Sequence, residues 1–136
     1  MIFLKVGDIV KVVEINSLVL AYLGDTIYEN YVRRFLIAQG IAHVDRLQKE
    51  AVKFVSAKSQ AHYLQKMIDK KFLSEEEMAV VKRARNYKTT SHPKSCDIIT
   101  YKYATGLEAL IGYLDLSNQK NRVDEIMKFI LEEELC

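Results

Sequence analysis

Leu18-Val19-Leu20-Ala21-Tyr22-Leu23-Gly24-Asp25-Thr26-Ile27-Tyr28-Glu29 is an apolar run broken by the carboxylate of Asp25. Continued to Ile37, the apolar side chains recur at three- and four-residue intervals: Leu18, Ala21, Tyr22, Tyr28, Val32, Phe35 and Leu36. That period predicts a long helix over 18–37. Asn16 or Ser17 can cap its start, and Gly40 suits the position just past its end. The opposite side carries Val19, Leu20, Leu23 and Ile27. A helix apolar on most sides is either central to a core or shared with a partner.

A second isolated acid has similar surroundings, in Tyr103-Ala104-Thr105-Gly106-Leu107-Glu108-Ala109-Leu110-Ile111-Gly112. Charge placed among small and apolar residues is costly unless a metal, a base or a hydrogen-bond network compensates it. Small neighbours let two helices approach closely and leave room beside each carboxylate. Asp25 and Glu108, on two separate predicted helices, therefore point to a shared metal site. A hard cation such as Mg²⁺, with Mn²⁺ as a substitute, takes carboxylate oxygens and often uses only one or two protein acids. Such an ion serves phosphodiester hydrolysis. Two plainer readings stand beside this one. Asp25 could cap a helix that restarts after Gly24, and Glu108 could edge a solvated face. Glu29, one turn from Asp25, is expected to be exposed. His43, His62 and His92 have no spacing that makes a ligand set or a triad, and surface or capping roles suit them.

The remaining pattern is also helical. His43 to Val55 places Val44, Leu47, Ala51, Phe54 and Val55 on one face. Ser56 can cap a helix over 57–70, and Ser74-Glu75-Glu76-Glu77 opens another with a capping-box pattern. Tyr87 to Cys96 reads as a polar loop around Pro93. Asp97 can cap a helix reaching Asp115, 117–120 forms a turn, and a last amphipathic helix runs from Asn121 to about Glu134. Residues 1–15, with Phe3, Leu4, Val6, Ile9, Val10, Val12 and Val13, allow either a short strand or a short helix. The expected architecture is all-α.

With 136 residues, the chain is expected to be one domain over 1–136, since domains commonly hold about 100–150 residues. Five glycines, one proline and no tryptophan disfavour a turn-rich β fold. Cys96 and Cys136 form neither a disulfide framework nor a zinc spacing. No run approaches the roughly 20 apolar residues of a membrane span. Met1 to Asp8 is too short and too early charged for a signal peptide. A cytoplasmic, reduced protein is expected.

The net charge is only +2, but it is unevenly spread. Lys82, Arg83, Arg85, Lys88, Lys94 and Lys102 face the single acid Asp97 within 82–102, whereas Asp124, Glu125, Glu132, Glu133 and Glu134 make the C-terminal part acidic. Tyr87, Thr89, Thr90, Ser91, Tyr101 and Tyr103 interleave the basic residues. Cations and hydroxyls together suit phosphate and sugar oxygens, the backbone contacts on which duplex RNA recognition relies. Arg83, Arg85, Lys88 and Lys94 are the candidate RNA-binding residues. A solvated loop behind a favourable helix C-terminus would show the same composition.

The two acidic motifs together are more specific than either alone. Leu20 to Glu29 resembles the signature helix of ribonuclease III catalytic domains, roughly L-E-F-L-G-D-A-V. Leu107-Glu108-Ala109-Leu110-Ile111-Gly112 resembles their second motif, roughly D-x-x-E-A-L-I-G. Phe54-Val55-Ser56-Ala57-Lys58-Ser59-Gln60-Ala61, Arg85-Asn86 and the chain length look like the short branch called Mini-ribonuclease III, in which no double-stranded-RNA-binding domain is appended. Matched by position, Asp25 and Glu108 take the family's catalytic, metal-binding places. Larger members have acids where this chain has Ala21 and Thr105, a thinning the short branch shares. The resemblance implies a ribonuclease III catalytic (endonuclease) domain-like helical bundle. It further implies a homodimer with signature helices at its axis, and Mg²⁺-dependent cleavage of double-stranded RNA to 5′-phosphate and 3′-hydroxyl ends. The implied substrate is precursor large-subunit ribosomal RNA, with a ribosomal-protein helper as a further candidate partner. A non-catalytic helical RNA-binding or assembly protein is the alternative.

Overall fold

The computed structural model describes residues 11–88, 92–94 and 96–135. The expectations for 1–10, for Thr89, Thr90 and Ser91, and for Cys136 lie outside the described residues. Among those described, a 3₁₀ turn at Val12–Glu14 precedes six α-helices and there is no strand. The helices are α1 (Ser17–Ala38), α2 (Val44–Val55), α3 (Ala57–Asp69), α4 (Glu75–Arg85), α5 (Ile98–Leu116) and α6 (Lys120–Leu135).

Their ends follow local chemistry. The Asn16 side chain accepts from Leu18 N–H at 2.8 Å, so Asn16 rather than Ser17 caps α1. Gly40 takes φ +86° just beyond it, where a side chain would be strained. Ser56 accepts from Ser59 N–H, and Asp97 accepts from Thr100 N–H at 2.7 Å. Ser74 and Glu77 close a reciprocal capping box at the start of α4. Gly24 does not interrupt α1, so Asp25 lies inside a continuous helix and is no N-cap.

The central helix is α5. Ten consecutive or near-consecutive residues of it are buried, from Ala104 to Leu114 apart from Glu108. Helices α1, α3, α4 and α6 all pack on it. The apolar surround of α1 has a different outcome. Leu20, Tyr28, Val32 and Leu36 enter the core, but Leu18, Val19 and Tyr22 stay exposed, Tyr22 by 82%. Two hydroxyls brace the outer helices: Tyr28 donates to the Phe54 carbonyl at 2.6 Å, and Tyr63 donates to Glu134 at 2.6 Å. No helix among the described residues is long and apolar enough to cross a membrane.

Candidate active site

The site is set by the crossing of α1 and α5. A Cβ on Gly24 would lie 1.7 Å from the Glu108 carbonyl oxygen, and one on Gly112 would lie 2.1 Å from the Leu20 carbonyl oxygen. Only glycine permits two helix backbones this close. The contact is reciprocal, and each glycine lies within four residues of an acid in the sequence: Gly24 beside Asp25, Gly112 one turn after Glu108. The two carboxylates consequently meet. Glu108 is partly buried and Asp25 is exposed, so the pair opens to solvent on the Asp25 side. Glu108 does not edge a solvated face.

The electrostatics follow from this placement. Burial first, and then the Asp25 carboxylate as hydrogen-bond partner and as a like charge, push the Glu108 carboxyl up to about 9. Glu29 adds to the rise from farther along α1, while the amide of Gln60 opposes it. Neither Asp25 nor Glu108 forms an ion pair among the described residues. Glu29 instead pairs with Arg33 at 3.6 Å. No group of three or more His, Cys, Asp or Glu side chains converges among the described residues. The donor set is therefore two carboxylates, one of them pushed up by burial and by its acidic neighbour. It fits a hard divalent cation that completes its shell with water and substrate oxygens.

Gln60 had no role assigned from sequence. It is 2% exposed, its amide nitrogen donates to the Val55 carbonyl at 3.2 Å, and its amide oxygen is buried without a partner. An unsatisfied buried acceptor beside a metal-type carboxylate is the sort of group that ordered water in such a site would satisfy. The available signal was position: Gln60 shares the buried face of α3 with Tyr63, Leu64 and Met67.

The basic candidates separate. Lys88 and Lys94 are exposed, with no ion pair among the described residues. Arg85 is partly buried beside the Tyr103 ring, 5.4 Å from its centroid. Tyr103 precedes Glu108 on α5 by five residues, about 7.5 Å of helix rise. Arg83 differs from the other three. Its guanidinium donates to the Val13 carbonyl at 2.6 Å, the Ile15 carbonyl at 2.9 Å and the Ser17 hydroxyl at 3.2 Å. Its donors serve the chain that leads into α1.

A helical domain that brings two carboxylates together at a glycine crossing has a donor set suited to a hard cation. Comparison with known proteins agrees. The family model described as "Ribonuclease III domain" matches residues 18–119. The chain is 50% identical over 113 residues to Mini-ribonuclease 3 of Brevibacillus brevis, covering 83% of each chain. It is 42% identical over 120 residues to Mini-ribonuclease 3 of Enterococcus faecalis, covering 88% of this chain and 91% of that one. Among solved structures, protein FN1578 from Fusobacterium nucleatum superposes with a TM-score of 0.78 at 35% identity, over 89% of this chain and 95% of that one. The chain belongs to the ribonuclease III family, in its Mini-ribonuclease 3 branch. Members of this family are endoribonucleases that act on double-stranded RNA and depend on divalent metal ions, and this chain is such an enzyme.

Proposed function

We propose that Asp25 and Glu108 together hold Mg²⁺ and form the catalytic centre for hydrolysis of double-stranded RNA. The observation that carries this reading is the meeting of the two carboxylates at the Gly24–Gly112 crossing, with no ion pair to either among the described residues. A bound Mg²⁺, or Mn²⁺ in its place, supplies charge that neutralises the phosphodiester and makes water acidic enough to attack at neutral pH. Asp25, at the open edge, faces the incoming strand. Glu108, deeper and beside the Gln60 amide, would hold the cation as its carboxylate. Lys88 and Lys94 offer unengaged charge to backbone phosphates, and Arg85, steadied by Tyr103, adds a further cation for the strand. The products carry 5′-phosphate and 3′-hydroxyl ends.

The exposed stripe Leu18, Val19 and Tyr22 runs along the outer side of the helix that carries Asp25. An apolar stripe left open in this way supports a homodimer through α1, which would place two centres along one duplex. Precursor large-subunit ribosomal RNA, processed in the cytoplasm, is the substrate we favour, and a ribosomal-protein helper could present it.

The test is Asp25→Asn, which keeps shape and hydrogen bonding but removes a charge. It should abolish Mg²⁺-dependent cleavage of labelled duplex RNA while leaving duplex binding in place. Cleavage near the wild-type rate by the purified variant would remove Asp25 from the centre.

A further inference from the structure

Arg83 lies in the last turn of α4, five residues before Lys88. Its three hydrogen bonds reach back across the sequence to Val13, Ile15 and Ser17, and Ser17 is 3% exposed. A second tie runs parallel to the first. Asn16 caps α1 with its side-chain oxygen, and its amide nitrogen donates to the Tyr87 hydroxyl at 3.2 Å. Tyr87 immediately precedes Lys88. The root of the basic loop is therefore fastened twice to the start of the helix that carries Asp25. The 3₁₀ turn held by Arg83 packs in turn on α5, the helix that carries Glu108. A guanidinium fork suits this task, because a planar set of donors spans three acceptors that a single ammonium cannot.

We propose that Arg83 and Asn16 are positioning residues for RNA binding: they hold the end of α4, with Tyr87 and the adjoining Lys88, in register with the catalytic helices, and Arg83 itself contacts no phosphate. The proposal rests on the reading of Lys88 and Lys94 as phosphate contacts. Its consequence is distinctive. A latch changes the fraction of molecules whose Lys88 is placed to bind, and this fraction multiplies the affinity at every salt concentration. A phosphate contact instead contributes to counterion release, and so to the salt slope.

The experiment measures duplex RNA affinity across a salt series, together with kcat and KM, for single variants. Arg83→Ala should raise Kd and KM by about tenfold with kcat within about twofold of wild type and the salt slope unchanged. Arg83→Lys, which keeps the charge but loses the fork, should match Arg83→Ala. Tyr87→Phe removes only the hydroxyl that Asn16 reaches; it should weaken binding about threefold, again without a change of slope. Lys88→Ala should lower the slope by about one. Near wild-type binding by Arg83→Lys, together with a reduced slope for Arg83→Ala, would make Arg83 a phosphate contact and overturn the proposal. Wild-type affinity in the Arg83 variants and in Tyr87→Phe would also overturn it. If Arg83→Ala does not fold, Tyr87→Phe decides by itself. Unchanged slopes for both Lys88→Ala and Lys94→Ala would instead show that the loop is not the RNA surface, and the latch would fall with that reading.

Discussion

Burial, and then the acidic neighbours Asp25 and Glu29, push the Glu108 carboxyl up. The folded pKa of about 9 stands above the ordinary 4.5, so the folded state binds a proton that the unfolded chain releases between those values. The contribution of this group to stability is complete below the ordinary value and is lost as pH rises through about 9. Urea unfolding with a chelator present should therefore show stability falling over that window, and Asp25→Asn should flatten the fall. Adding Mg²⁺ should abolish it, and calorimetry in buffers of different ionisation enthalpy should detect a proton released on binding. The glycines give a second prediction at this scale. Gly24→Ala places a Cβ against backbone rather than a yielding side chain, so α1 and α5 must separate. The expected cost is about 3 kcal/mol in urea unfolding, with cleavage lost even where the variant stays folded. Asp25 and Glu108 were legible because a lone charge in an apolar run stands out. Gln60 was not, because a neutral amide does not mark its helix face as buried until Tyr63, Leu64 and Met67 are seen to enter the core beside it.

Among the elements, the caps were readable in advance for a simple reason: Ser56, Ser74 and Asp97 bond to backbone groups three residues away, and Asn16 to one two residues away. Asn16 and Ser17 were equally suitable by composition, and the geometry chose Asn16. The capping-box acid Glu77 has a second use that no local pattern displays. It is 5% exposed and takes Arg122 of α6 at 2.8 Å, while Arg122 also donates to the Phe72 carbonyl and lies over the Phe72 ring. Burial alone would raise the Glu77 carboxyl, but Arg122 and the Ser74 backbone N–H outweigh it and hold it below the usual range. A depressed carboxyl stabilises the fold above its ordinary pKa and loses that contribution as pH falls through the folded value. Arg122→Ala should cost about 3 kcal/mol or more at neutral pH, since Glu77 would remain buried and unpaired. It should also diminish the acid-side loss of stability attributable to Glu77. Urea unfolding from neutral pH down through the carboxylate range measures both effects.

For the molecule as a whole, α5 rather than α1 became the hub. Both helices are apolar on many sides, but α5 carries Ala104, Thr105, Gly106, Ala109 and Gly112, small residues that admit neighbours all round. Helix α1 carries larger side chains and retains an open stripe. That stripe is the face of the proposed homodimer, and it can be tested. Tyr22→Asp should shift the protein toward monomer in sedimentation, with folding retained, because Tyr22 makes little of its contact within the chain. Cleavage of long duplexes should fall in parallel. A variant that sediments as wild type would remove this face from the interface.

Local order in the sequence determined which segments are helical, where each helix starts, and that Asp25 and Glu108 each interrupt an apolar run. Periodicity and capping act within four residues, so they survive without knowledge of the fold. Which helix is central, which glycine touches which carbonyl, that Arg83 clasps the chain before α1, and that Gln60 lies under Glu108 were decided only by tertiary packing. Those relations join residues dozens of positions apart. Their physical cause is the competition of many apolar faces for one interior, which no short window of the chain contains.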